Sequence, residues 1–139
     1  MQRKFLAWLF ILTTPEIQFI MKNLDKFAEP DGRLFLVETD GQIAGTISLR
    51  KIRPNCGEIK RMYVRPQFRG KKIGTLMIDE VIKVSKNNGY SDLYLDTAQF
   101  MSSAVSLYKK FGFHETEPYP ESVNPEGYWE KWIFMTKRL

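Results

Sequence analysis

Between Glu58 and Gly112 the hydrophobic period changes from two to 3.6 and then repeats the change, and this alternation limits the possible folds more than any other feature of the chain. EIKRMYV, residues 58–64, reads as a strand ended by Pro66. Residues 71–89 read as a helix in which Ile73, Leu76, Met77, Val81 and Val84 share a face, with Gly89 at its stop. SDLYLDT (91–97) is again a strand, and SSAVSLYKKFG (102–112) a second helix stopped by Gly112. Upstream, RLFLVET (33–39) and QIAGTISLRKI (42–52) flank Asp40-Gly41, a strong hairpin signal. Before them, Thr14 caps and Pro15 opens a helix that Pro30-Asp31-Gly32 stops. Downstream come a short FHE strand, a Pro-rich loop at 117–127 and a final strand, YWEKWIFMT (128–136). The order predicts an α/β protein with a mixed sheet, and 139 residues predict a single domain, 1–139.

Composition narrows the class. With 43% hydrophobic and 14% aromatic residues the chain is globular. One cysteine, Cys56, excludes an intrachain disulfide and favours a reducing, cytoplasmic setting. One cysteine and one histidine also argue against a zinc site, so no metal is expected. The apolar run FLAWLFIL (5–12) is too short for a membrane span and lacks a cleavage pattern after it, so it reads as buried helical turns. The net charge of +5 is uneven: residues 50–72 hold nine basic side chains against Glu58 alone, a local +8. Such a segment is either a solvated basic face or a site for a phosphate-bearing ligand or nucleic acid.

That charge peaks in RPQFRGKKIGTLMI (65–78), a basic turn leading into a helix N-terminus, where free N–H groups favour an anion. Gly70 allows close approach to the backbone and Gly74 allows tight helix packing. A P-loop is excluded, because Arg65 and Lys72 stand where it needs Gly and Ser or Thr. A dinucleotide fold is excluded by the lack of G-x-G-x-x-G. VRPQFRGKKIG resembles the acyl-CoA pyrophosphate loop of the GNAT superfamily of N-acetyltransferases, Q/R-x-x-G-x-G/A, with Arg69 first, Gly74 last and Lys72 in place of the middle glycine. AVSLYKKFGF (104–113) resembles the family's downstream helix with its Leu-Tyr and Gly-Phe, one helix and one strand further on. The family's first strand is not evident here; the chain is either shortened or uses KFLAWLF in that place. Met101 stands where the family often has Asn.

The resemblance implies a sheet whose central strand pair splays into a V-shaped cleft, with acetyl-CoA as co-substrate and an amine as acceptor. Pantetheine would pair with the backbone around Met62, Tyr63 and Val64. The pyrophosphate would rest on N–H groups from Arg69 through Gly70, Lys71, Lys72, Ile73 and Gly74 to Thr75; Lys72 can be accommodated there if its φ is not positive. Tyr108 is the expected general acid for the departing thiolate, against the plainer reading of a core-rim aromatic. Glu58 is the expected base, on one strand face with Lys60, Met62 and Val64, against the plainer reading of an ion pair. Tyr128, Trp129 and the Pro-rich loop are either an acceptor-site wall or, the favoured reading, part of a strand whose Trp132 and Phe134 are core with Tyr128 at its edge. His114 is read as structural, and Cys56 has no base beside it in sequence for an acyl-cysteine role. A CoA-binding module without catalysis and a basic nucleic-acid-binding domain are the alternatives, the latter weakened by the lack of any RNA-stacking or helix-turn-helix pattern. An uncovered sheet edge, if the first strand is missing, invites a homodimer.

Overall fold

The structure, a computed structural model, describes residues 33–39, 41–122 and 130–139, together with the backbone of 3–6. Its strands are β1 (Arg3–Leu6), β2 (Arg33–Thr39), β3 (Gln42–Arg53), β4 (Cys56–Val64), β5 (Asp92–Ala98), β6 (His114–Thr116) and β7 (Trp132–Arg138). Among the described residues the helices are α1 (Ile73–Asn87) and α2 (Ser102–Lys110), with a 3-10 turn at Pro66–Phe68. One sheet runs β1-β2-β3-β4-β5-β7-β6, antiparallel at every pairing except β4 with β5. The expected mixed α/β architecture is therefore present. The expected helix from Thr14 to Phe27 lies outside the described residues, as do Tyr128 and Trp129.

Strand and helix bounds shift by a few residues from the sequence reading. The final strand begins at Trp132, not Tyr128, because Glu130 and Lys131 form a helical turn before it. The first strand, not evident from the sequence, is present: Arg3–Leu6 pairs antiparallel with Leu36–Thr39, so Phe5 and Leu6 are extended and not part of the helical turns expected over 5–12. The edge of β2 is thus covered within the chain, which removes the argument for a homodimer based on that edge.

The core lies between α1 and one face of the sheet. Phe35, Val37, Ile47, Leu49, Ile59, Leu93 and Leu95 point to that face, and Ile73, Met77, Ile78, Val81 and Ile82 meet them from the helix. Each such side chain gains about 1.5–3 kcal/mol from burial. Leu76 and Val84, expected on the same face as Ile73, Met77 and Val81, are only partly buried. Alternating positions supply the other face, where Leu36, Thr46, Ser48 and Glu58 are also buried.

Candidate active site

The site begins with a defect in β4. Ser48 pairs with Lys60 but Thr46 pairs with Tyr63, so β4 carries one extra residue there, and Arg61 takes φ 54°. Two hydroxyls of β3 hold the bulge: Ser48 Oγ donates to the Lys60 carbonyl at 2.9 Å and Thr46 Oγ1 to the Arg61 carbonyl at 3.0 Å. The extra residue reverses the alternation beyond it. Glu58, Lys60 and Tyr63 face one way, while Met62 and Val64 face the other. The expectation that Glu58 shares a face with Met62 and Val64 is therefore wrong, because two-residue spacing does not survive a bulge.

Beyond the bulge β4 leaves β5. The two pair only from Cys56–Asp92 to Glu58–Tyr94. Past that point the outer edge of β4 is open. Arg65 N donates to the Ala44 carbonyl at 2.8 Å, so the adjacent Val64–Gly45 pair is the non-bonded kind and the Val64 N–H and C=O point away from β3. The Val64 carbonyl accepts from Arg69 Nε at 3.2 Å.

A cleft of about 510 Å³ opens here, between β4, the turn before α1 and the start of α2. Met62, Tyr63, Val64, Arg69, Gly70, Lys72, Ile73, Gly74 and Thr75 line it, together with Phe100, Met101, Ser102, Ser103, Ala104 and others. Lys71 is the one expected cofactor residue absent from the lining; its ammonium lies 5.6 Å from the Phe68 ring centroid. The first turn of α1 has no side-chain cap and no acidic residue, and the earliest backbone bond into its Lys72 carbonyl comes from Leu76. The N–H groups of Ile73, Gly74 and Thr75 are thus those a helix leaves without intrahelical partners. Gly74 packs closely against α2: a Cβ there would sit 2.9 Å from Leu107 Cδ2, and that side chain would have to shift. Gly70 takes φ 77°. Lys72 does not meet the condition of a non-positive φ: it is left-handed, with φ 61° and ψ 23°.

Tyr108 lies behind this cleft on α2, 5% exposed, its hydroxyl donating to Met62 Sδ at 3.6 Å. Burial, and then the charge of Asp96, raise its pKa well above the ordinary phenol value, so it holds its proton. Glu58 is completely buried. Its Oε1 accepts from Arg50 Nε at 2.6 Å and its Oε2 from the Tyr119 hydroxyl at 2.6 Å, with Lys60 Nζ at 3.6 Å. The ion pair is real, and it comes with a phenol. Tyr119 is itself 3% exposed, and its pKa is raised by burial, then by Glu58 and Asp96.

Sequence reasoning missed Tyr119, Asp96, Lys60 and Ser122. Asp96 takes bonds from Lys60 Nζ and from Ser122 Oγ, the latter at 2.7 Å, and Glu121 holds Arg53 at 2.9 Å. The only signal was an acid on a period-two strand beside Tyr94; nothing in the Pro-rich loop marks Tyr119 as a partner of Glu58. Other residues stay outside: Cys56 is buried with its thiol pKa raised by burial, and His114 is exposed on the edge strand β6.

The sequence model described as Acetyltransferase (GNAT) family matches residues 4–113. An uncharacterised N-acetyltransferase of Schizosaccharomyces pombe is 42% identical over 102 residues, covering 72% of this chain and 63% of its own length. This chain thus spans less than two thirds of that relative. An IAA acetyltransferase of Azospirillum brasilense is 30% identical over 119 residues, covering 84% of this chain and 74% of its own. In fold, a GNAT-family acetyltransferase of Elizabethkingia anophelis, solved with acetyl-CoA bound, superimposes with a TM-score of 0.75 at 23% identity, covering 99% of this chain and 98% of the other. No described helix is long and apolar enough to cross a membrane. The splayed strands, the basic turn and the two helix starts around one cleft agree with these likenesses, and the chain belongs to the acetyltransferase (GNAT) family.

Proposed function

We propose that the protein transfers an acetyl group from acetyl-CoA to a primary amine by direct attack. One observation carries the reading: the open edge of β4 at Val64 and the uncapped first turn of α1 face the same cleft, with Tyr108 directly behind it. Acetyl-CoA bound in the Elizabethkingia anophelis structure supports the choice of donor. The pyrophosphate rests on the N–H groups of Arg69–Thr75, and the pantetheine amides pair with β4 at Met62 and Val64.

In the reaction a neutral amine attacks the thioester carbonyl, an N–C bond forms and the C–S bond breaks. The amine loses one proton and the sulfur gains one. The Val64 N–H is the donor for the oxyanion. Tyr108 donates a hydrogen bond to the departing sulfur, and its raised pKa keeps the donor proton in place. Glu58 is the proton acceptor and is reached through the Tyr119 hydroxyl, which donates to its Oε2 at 2.6 Å.

The test is Tyr108→Phe assayed with a panel of primary amines and with acetyl-CoA binding in parallel. Turnover should fall by about a hundredfold, the lower end of general acid–base effects, with acetyl-CoA affinity within about twofold of the parent. Unchanged turnover would reject the role of Tyr108, and a parent protein that binds acetyl-CoA but acetylates no amine would support a binding module.

A further inference from the structure

Where backbone pairing between β4 and β5 stops, a side-chain pair takes over. The last paired residues are Glu58 and Tyr94, and extending that register by two residues sets Lys60 opposite Asp96. There the backbones have parted, yet Lys60 Nζ lies 3.3 Å from Asp96 Oδ2 and 3.4 Å from Oδ1. The two side chains are only 13% and 6% exposed. Ser122 Oγ donates to the same carboxylate at 2.7 Å, and the Tyr119 hydroxyl stands 3.4 Å from it. Immediately after Lys60 the bulge at Arg61 turns β4 away.

An ion pair this enclosed adds little to stability, because desolvation of both charges offsets their attraction and an apolar pair of similar volume would do as well. What it does fix is a distance across the V. Met62, which packs on the Tyr108 hydroxyl, sits two residues beyond Lys60. The nucleotide end of the cleft, from Arg69 to Thr75, is built by other elements.

We propose that Lys60 and Asp96 are positioning residues, a strut across the apex of the cleft that sets the separation of β4 from β5 and so the fit of the acyl-pantetheine arm. The proposal rests on the acetyl-CoA reading given above. Ser122 braces the strut from the loop that follows β6.

The experiment titrates Lys60→Met, Asp96→Asn and the milder Ser122→Ala by calorimetry, each with acetyl-CoA and with adenosine 3′-phosphate 5′-diphosphate, well below their melting temperatures. Acetyl-CoA should bind the first two variants about tenfold more weakly, which is 1.4 kcal/mol. Ser122→Ala should shift it in the same direction by less, and the nucleotide should bind all three as it binds the parent. This split separates positioning from general loosening, which weakens both ligands together. Equal affinities in parent and variants, or a parallel loss of both ligands, would overturn the strut while leaving the acetyl-CoA reading intact. A parent that binds neither ligand would overturn that reading, and the strut with it.

Discussion

At Lys72 a side chain with a Cβ occupies a left-handed backbone, φ 61°, at a cost of about 1–2 kcal/mol relative to an unstrained position. Lys72→Gly removes that strain but gives the unfolded chain more freedom, which returns about 0.4–1 kcal/mol. The melting temperature should rise by about 2–4 °C, while acetyl-CoA affinity should fall as a cation leaves the cleft wall; scanning calorimetry and ligand titration read the two effects separately. Tyr108 and Tyr119 make a second prediction. Burial, followed by nearby carboxylates, raises both phenols above the ordinary value of 10.0. The folded state therefore holds these protons more tightly than the unfolded one, so their contribution to stability is complete below about pH 10 and is lost as the pH climbs past it. Urea midpoints should drop above pH 10, and Tyr119→Phe should flatten that drop; an identical slope in the variant would refute the assignment. Legibility differed between these residues. Arg69 and Tyr108 stand in short patterns that a sequence displays. Tyr119 does not, because its meaning comes from Glu58, 61 residues away, and no local spacing records that contact.

For the elements, alternation and stop residues were enough to predict β2 through β5 and both described helices to within a few residues. They were not enough for β1, because Arg3–Leu6 is two basic residues followed by the first two of the apolar run at 5–12, with no alternation to read. The β4 bulge escaped for a related reason: a strict period of two has no place for an extra residue, and the hydroxyls that hold it, Thr46 and Ser48, belong to the neighbouring strand. The position of Gly45 shows how closely β3 and β4 approach at this point. A Cβ there would lie 2.7 Å from the Tyr63 carbonyl oxygen, a backbone atom that cannot move without moving the bulge. Gly45→Ala should therefore destabilise the fold by about 1–3 kcal/mol, measured by urea unfolding, and weaken acetyl-CoA binding through displaced Val64. A variant as stable as the parent, with unchanged affinity, would show that the approach of these strands does not shape the cleft.

Across the whole molecule, the fold divides the basic segment of residues 50–72 between structure and site. Arg50 is spent on Glu58, Arg53 on Glu121 and Lys60 on Asp96, and Arg65 donates to the Ile43 carbonyl. The run of charge that suggested nucleic acid is thus in part internal bracing, which composition could not reveal because Asp96 and Glu121 are distant in sequence. Arg69 and Lys72 remain at the cleft, where a phosphate-bearing ligand would meet them. Two such cations make affinity depend on salt, so acetyl-CoA binding should weaken steadily from low to physiological ionic strength as their field is screened. The most direct test of the central claim is calorimetric titration of the protein with acetyl-CoA, alongside acetyl-pantetheine lacking the nucleotide and all its phosphates. The account predicts micromolar binding of acetyl-CoA and a loss of at least about a hundredfold for acetyl-pantetheine. Equal binding of both, or binding of neither, would contradict it.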